Sequence, residues 1–362
     1  MAALILLMIL AEFGWNYVHP TARDFVSFWG ASQFALAGQP ALAYDNAALH
    51  ALQVKVAAFD GGEMPFPYAP AFLLLVAPFG FLPFPIALML WSLAGYGLYL
   101  LAANRLHPGL AWAAAAFPPV YANAAIGQNG FIMAALFLGG LAMLERRPLI
   151  AGLLLGCLIL KPQLALMLPV AMLASRQSRV IGGAIVSSIL VLAAGFVIFG
   201  SAATAAWLDQ MPLYVRIARD GLVGWHKLIS VYATARQVGV SETAAFAIHG
   251  LVAALAALAV WRIWASNADW RAKFAILSAA TLLASPYLYI YDALILIPAF
   301  VYLVAQRAPA GLVALAWLLP IATMMQVAGG AWLVNVGSLP AIILLILVWR
   351  TARREQREMV GN

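Results

Sequence analysis

Charge is what this sequence has least of. Only 9% of its 362 residues are Asp, Glu, Lys or Arg, against about 25% in soluble domains. That excludes a soluble enzyme. Cysteine is nearly absent as well. Cys157 stands alone in an apolar run, which rules out an internal disulfide and any cysteine-based metal cluster. No HExxH, CxxC, DxD or Walker loop occurs. A nucleotide-driven pump and a metal-held nucleotide sugar are therefore disfavoured, and neither a metal nor a cofactor is expected. What the chain has is apolar residues, 65% of the total, in runs along its whole length. It reads as an all-α, multi-pass membrane protein in one domain spanning residues 1–362. The net charge of +7 does not point to nucleic acid, because membrane proteins collect basic residues in their cytoplasmic loops.

A crossing helix needs about 20 apolar residues. The runs at 1–18, 84–104, 108–125, 131–144, 149–160, 164–174, 180–199, 243–264, 274–284, 292–305, 312–325 and 333–349 suggest about twelve spans. The first lacks a basic leader and a clear cleavage site, so it reads as a retained helix, with Glu12 inside it unexplained. Thirteen of the 20 Lys and Arg residues fall on one side if both termini are cytoplasmic. That count requires 66–83 to lie in the outer interface, broken by prolines, rather than cross. Residues 19–83 then form a first outer loop with short amphipathic interfacial helices at 25–36 and 47–59. Residues 200–242 form a second long outer loop, and 350–362 a basic cytoplasmic tail.

Several runs are too short to cross alone, and they meet at polar breaks. Non-helical backbone at that depth survives only when it lines protein or a watery cavity. The breaks at 127–130, 161–163 and 285–289 are thus expected to line one outward-facing cavity. With them come Asp24 beside Arg23, Tyr44 and Asp45, Tyr68, Gln128 and Asn129, Lys161 and Gln163, Arg216, Arg219 and Asp220, His226 and Lys227, and Tyr287, Tyr289, Tyr291 and Asp292. Each has a plainer reading. Asp24 can cap a helix, Lys161 can snorkel, Gln128-Asn129 can form a turn, His226-Lys227 can be solvated, and Tyr287–Tyr291 can be an interfacial aromatic belt. His249, inside a span, reads as a hydrogen-bonded core residue. Ionisable groups inside membrane segments are costly and usually functional, which favours Lys161.

The segment DFVSFWGASQFALAGQPALAYD resembles the first outer loop of polyprenol-phosphate-sugar-dependent glycosyltransferases of the GT-C fold. The resemblance is nearest to glycosyltransferase family 87, which includes the phosphatidylinositol-mannoside mannosyltransferases. FPYAPAFLLLVAPFGFLP, the GQN and KPQ pair within GQNGFIMAALFLGGLAMLERRPLIAGLLLGCLILKPQLALMLPVAML, and SPYLYIYDALILIPAF follow in the family's order. The resemblance implies a GT-C-like bundle. It implies a donor sugar, mannose first, on a polyprenyl phosphate, and a lipid or glycan hydroxyl as acceptor. Transfer would invert the anomeric centre at the outer face of the cell (inner, plasma) membrane, among membrane lipids. Asp24 is the implied general base. Lys161, Gln128 and His226 stand where the family has its basic and polar set. Asn129, Gln163, Lys227, Arg216, Arg219 and Tyr68 complete the candidate donor site. The rival class is a transporter or flippase for a lipid or small solute, supported by the broken helices and opposed by the absence of inverted repeats. A structural scaffold explains none of the polar breaks.

Overall fold

The computed structural model describes residues 1–20, 24–57, 63–329 and 334–361. Arg23, residues 58–59 of the second expected interfacial helix, and Leu333, all used in reading the sequence, lie outside them. The described chain is all helical, 81% helix with no strand. Among the described residues, four helices are long and apolar enough to cross a membrane: Phe84–Leu106, Ser178–Arg219, Glu242–Trp264 and Ala310–Gly329. The other expected spans take different forms. Ala2–Val18 has 17 residues. Residues 108–125 split at Phe117-Pro118 into Leu110–Ala116 and Pro119–Ile126. Pro148–Gly156 ends in the 3-10 turn Cys157–Leu160, a reach of ~22 Å by helical rise against a hydrocarbon core of ~30 Å. The last helix starts later than the apolar run predicts and continues through the tail, Leu339–Gly361. The tail is not free: Tyr302 donates to Glu355 at 2.6 Å and Gln356 to Ser266 at 2.6 Å.

Burial sorts these helices into layers. Trp270–Ala284 and the segment Ile290–Ala305 are buried on nearly every face, as expected of helices that are apolar all round. Around them, the long helices turn large apolar side chains outward. Ile189 is 60% exposed, Val197 78% and Leu251 63%. Such continuous apolar surface marks a contact with lipid. Pro148–Gly156 lies so close to Ser178–Arg219 that a Cβ at Gly152 or Gly156 would strike the Val180 or Ala184 backbone. Small residues at such crossings let backbones approach. Ser178–Arg219 bends at Gly200, whose φ of 82° is not helical, and then runs on through 201–219, so half of the second loop is helix.

The first outer loop corrects one expectation. Phe25–Leu36 forms a helix, but not a surface one. Its residues Phe25, Val26, Ser27, Phe28, Trp29, Gly30, Ala31 and Ser32 are all buried. Three of its polar groups are spent on carbonyls of the proline-rich stretch that follows. Ser27 donates to Pro65 O at 2.8 Å, Trp29 to Leu82 O at 2.9 Å and Gln33 to Gly80 O at 2.6 Å. Phe28 packs against Phe66, Tyr68, Phe72 and Trp91 with ring centroids 5.2–6.3 Å apart. Such aromatic pairs add about 0.5–1.5 kcal/mol each beyond their burial. The second helix is Asn46–Val56, started by Asp45, whose carboxylate accepts from Ala48 N at 3.0 Å. Residues 66–83 contain only the broken helix Pro70–Phe81, too short to cross. Glu12 is also explained: Tyr121 donates to it at 3.3 Å and Asn16 at 3.2 Å.

Candidate active site

Asp24 sits at the start of Phe25–Leu36, but its side chain makes no capping hydrogen bond. The capping explanation therefore fails. Gln128 Nε2 instead donates to Asp24 Oδ2 at 2.9 Å. The amide itself is oriented, because its Oε1 accepts from Asn129 N at 3.2 Å, so its two ends cannot be exchanged. The break that carries Gln128 depends on glycine. Gly127 has φ 68° and ends the helix Pro119–Ile126, and a Cβ there would run into Leu88 and Phe25. At Gly130 a Cβ would meet Tyr291 O at 2.8 Å. The GQNG break thus lies between the first outer loop and the 285–292 break.

The third break is tied in by charge. Lys161 Nζ lies 2.6 Å from Asp292 Oδ1, and both side chains are buried, at 6% and 0% exposure. The other carboxylate oxygen, Oδ2, accepts from Tyr289 N at 3.0 Å. The Lys161 ammonium also lies 4.6 Å from the Tyr291 ring centroid, a distance for a cation–π contact. A buried ion pair needs such further partners, because desolvating both ions costs several kcal/mol each.

Between the two carboxylates stand three phenols. Tyr289 and Tyr291 stack at 5.5 Å and 8°, and the charges of Asp24 and Asp292 both act on Tyr289. Tyr68 feels both carboxylates too. Burial first, and then the Asp292 charge, push its phenol well above the ordinary range; like any tyrosine it is neutral at pH 7 and can donate a hydrogen bond. Asn129 lies against Tyr68 and is fully buried. Apart from that contact with the phenol, its amide atoms have no hydrogen-bond partner. Asp24, Gln128, Asn129, Tyr68, Tyr289, Tyr291, Lys161 and Asp292 thus form one cluster, drawn from the first loop and all three breaks. Its chemistry comprises one oriented carboxylate, one compensated cation, neutral phenols and an amide that meets only the Tyr68 phenol.

The other candidates lie outside it. Gln163 has a buried Oε1 with no partner and no hydrogen bond to the cluster. Arg216 and Lys227 are exposed. Arg219 is engaged at the surface by Asp220 at 3.0 Å and Glu242 at 3.7 Å. His226 is partly buried, and burial, with Lys227 beside it, lowers its pKa below the ordinary 6.5. Its loop does reach the third break, where Ile229 N donates to Leu288 O at 2.8 Å and Leu228 bridges to Tyr289. His249 is a buried core residue at 4% exposure whose ring meets the Ala284 backbone. Among the described residues no group of three or more His, Cys, Asp or Glu side chains could hold a metal.

The profile of glycosyltransferase family 87 matches residues 66–286, more than half of the chain. The chain belongs to glycosyltransferase family 87. It is a glycosyltransferase, and its apolar helices make it a membrane protein. The matched stretch of this family contains Tyr68, both GQN and KPQ, and the second loop. Asp24 precedes it and Asp292 follows it. No curated protein and no solved structure matches the chain.

Asp292 is the residue that sequence reasoning undervalued. It appeared among the polar groups after the Ser285-Pro286 break, but not as the partner of Lys161. The signal was present: these are oppositely charged groups in apolar surroundings, and an intramembrane charge has a partner by default. Tyr291, taken as part of an interfacial belt, is buried beside Lys161.

Proposed function

We propose that this enzyme transfers a hexose, mannose first, from a polyprenyl-phosphate sugar to a lipid or glycan hydroxyl, with inversion, at the outer face of the inner membrane. The carrying observation is Asp24, uncommitted to capping and oriented by Gln128, in one cluster with Lys161. In this reading the acceptor O–H gives its proton to the Asp24 carboxylate. The acceptor oxygen attacks the anomeric carbon from the face opposite the phosphate. The bond from that carbon to the phosphate oxygen breaks, and its electron pair leaves with the polyprenyl phosphate, which needs no strong acid.

The leaving phosphate gains charge as that bond breaks, so fixed cations accelerate the step. Lys161 spends one of its three N–H donors on Asp292, and the other two serve the phosphate. Asn129 supports the reading as a sugar contact. A buried unsatisfied polar group costs about 1–3 kcal/mol, which a sugar hydroxyl relieves. Arg216, Arg219, His226 and Lys227 are kept as the second loop's contribution to the donor headgroup, Arg219 only after leaving Asp220. The charge distribution of the sequence, with both termini inside, supports a cluster that faces outward. The transporter reading is set aside by the family.

The test is transfer from radiolabelled polyprenyl-phosphate mannose by the purified full chain, beside a nucleotide-diphosphate mannose. Transfer from the polyprenyl donor only, with an inverted linkage, is expected. Transfer from the nucleotide sugar, or retention of configuration, would overturn the proposal. Single cysteines at Gln128, Gln163 and Tyr287 should label from outside; labelling only from the cytoplasm would reverse the orientation.

A further inference from the structure

A cavity of about 610 Å³ opens where Ser175, Arg176, Trp261, Trp264, Trp270 and Lys273 meet. It lies at the far end of the bundle from Asp24. The stretch Pro162–Ala174 leaves the Lys161 break and ends at it, and Trp270–Ala284 starts at it and ends at the Ser285 break. No step of the proposed transfer uses it.

Its lining combines cations with indoles. Lys273 Nζ stands 4.8 Å from the Trp270 ring centroid, and Trp264 and Trp270 pack edge to face at 5.8 Å. Arg176 occupies a costly backbone position. The helix Leu168–Ala174 ends with Gln177 N donating to Met172 O at 2.9 Å, and Arg176 adopts φ 55°. This is the left-handed position where such helix ends favour glycine. The chain holds a guanidinium there instead, at the rim of the cavity. Arg179, Arg262 and Arg271 are exposed nearby in sequence, against the acids Asp269 and Glu145, whose charges act on Lys273.

The surface leading to the cavity names the occupant. Leu251, Leu255, Leu258 and Trp261 are 63%, 56%, 48% and 46% exposed and follow one face of Glu242–Trp264. That stripe is ~15 Å long by helical rise, half of a ~30 Å hydrocarbon core, and it ends at the cavity. A free anion has no use for it; an acyl chain does. Basic pockets with tryptophan at headgroup depth take anionic lipids. We infer that this cavity binds the phosphate headgroup of an anionic glycerophospholipid, in the leaflet opposite the candidate active site, with one acyl chain on the 251–261 stripe.

Arg176→Gly separates this role from folding. Glycine suits the left-handed position, so Tm should hold or rise while the guanidinium is lost. Native mass spectrometry of the full chain, released from micelles doped with phosphatidylglycerol or phosphatidylcholine, reads the retained lipid. Wild type should keep one phosphatidylglycerol at least about tenfold better than phosphatidylcholine. Arg176→Gly and Lys273→Gln should each lose about tenfold, and Arg353→Gln, a basic residue of the tail, should not. Equal retention of both lipids, or phosphatidylglycerol retained by a folded Arg176→Gly, would overturn the inference. Inorganic phosphate displacing the lipid would make this a free-anion site and overturn it as well. No readout depends on transfer activity, so the catalytic proposal can fail separately.

Discussion

Removing Asp292 should harm the protein far more than removing both members of its pair. At 2.6 Å and an effective dielectric of about 20, the Lys161–Asp292 attraction is ~6 kcal/mol. Desolvating both ions cancels most of that, so the pair's net worth is near zero. Breaking it is another matter. Asp292→Ala leaves an ammonium buried at 6% exposure and frees the Tyr289 N–H. The first effect costs about 3–5 kcal/mol and the second about 1–3 kcal/mol. Lys161→Met strands the carboxylate and should cost about 3–5 kcal/mol. The double variant Lys161→Met, Asp292→Leu leaves no buried charge and should lose only the about 1–3 kcal/mol of the freed Tyr289 N–H. Denaturation of the purified chain, followed by tryptophan fluorescence, closes the cycle. The expected coupling exceeds about 3 kcal/mol. The double variant should still fail at transfer, because the phosphate has lost its cation. Single variants within about 1 kcal/mol of wild type, or additive losses, would refute the pairing. A fully active double variant would refute the role of Lys161.

Gln128→Ala removes a hydrogen bond to a carboxylate, an interaction of about 1.5–3 kcal/mol; kcat should fall ~10- to 100-fold with the donor KM nearly unchanged, and a change in KM alone would contradict the positioning role. Gly127→Ala puts a Cβ into Leu88 and Phe25 at a left-handed φ; it should destabilise by about 2 kcal/mol or more and lower transfer, as read by Tm and activity together. His226 binds its proton less readily folded than unfolded, so stability is full above its ordinary 6.5 and declines as pH falls through it. His226→Asn should flatten that decline in Tm between pH 7 and 5, and an unchanged slope would contradict it.

The breaks were legible because glycine, proline and polar residues interrupt apolar runs at 127–130, 161–163 and 285–289. The limits of Phe25–Leu36 were legible too. Its burial was not, since the carbonyls that satisfy Ser27, Trp29 and Gln33 come from residues 38–53 positions away, which local patterning does not report. The same limit hid the Lys161–Asp292 pair, 131 residues apart. Lys161 read as a phosphate cation because its own neighbours are apolar; only the fold brings a carboxylate to it. The second-loop cations lie apart from the cluster. Their place in an outer loop suggested a cavity position, and helix continuation through Arg219 carries Arg216 and Arg219 to an exposed end. The short helices show why hydropathy alone miscounts here. A bundle that buries polar breaks needs segments that stop part-way, and length thresholds do not recognise them.

The most direct measurement is single-turnover transfer by Asp24→Asn from a polyprenyl-phosphate sugar, with donor binding measured on the same preparation. The amide keeps the size of the carboxylate and can still accept from Gln128, but it cannot take a proton. Donor binding within about twofold of wild type and transfer lowered by ~10²–10⁴-fold is the predicted result, with Asp24→Glu recovering part of the rate. Transfer at the wild-type rate by Asp24→Asn would contradict the account at its centre.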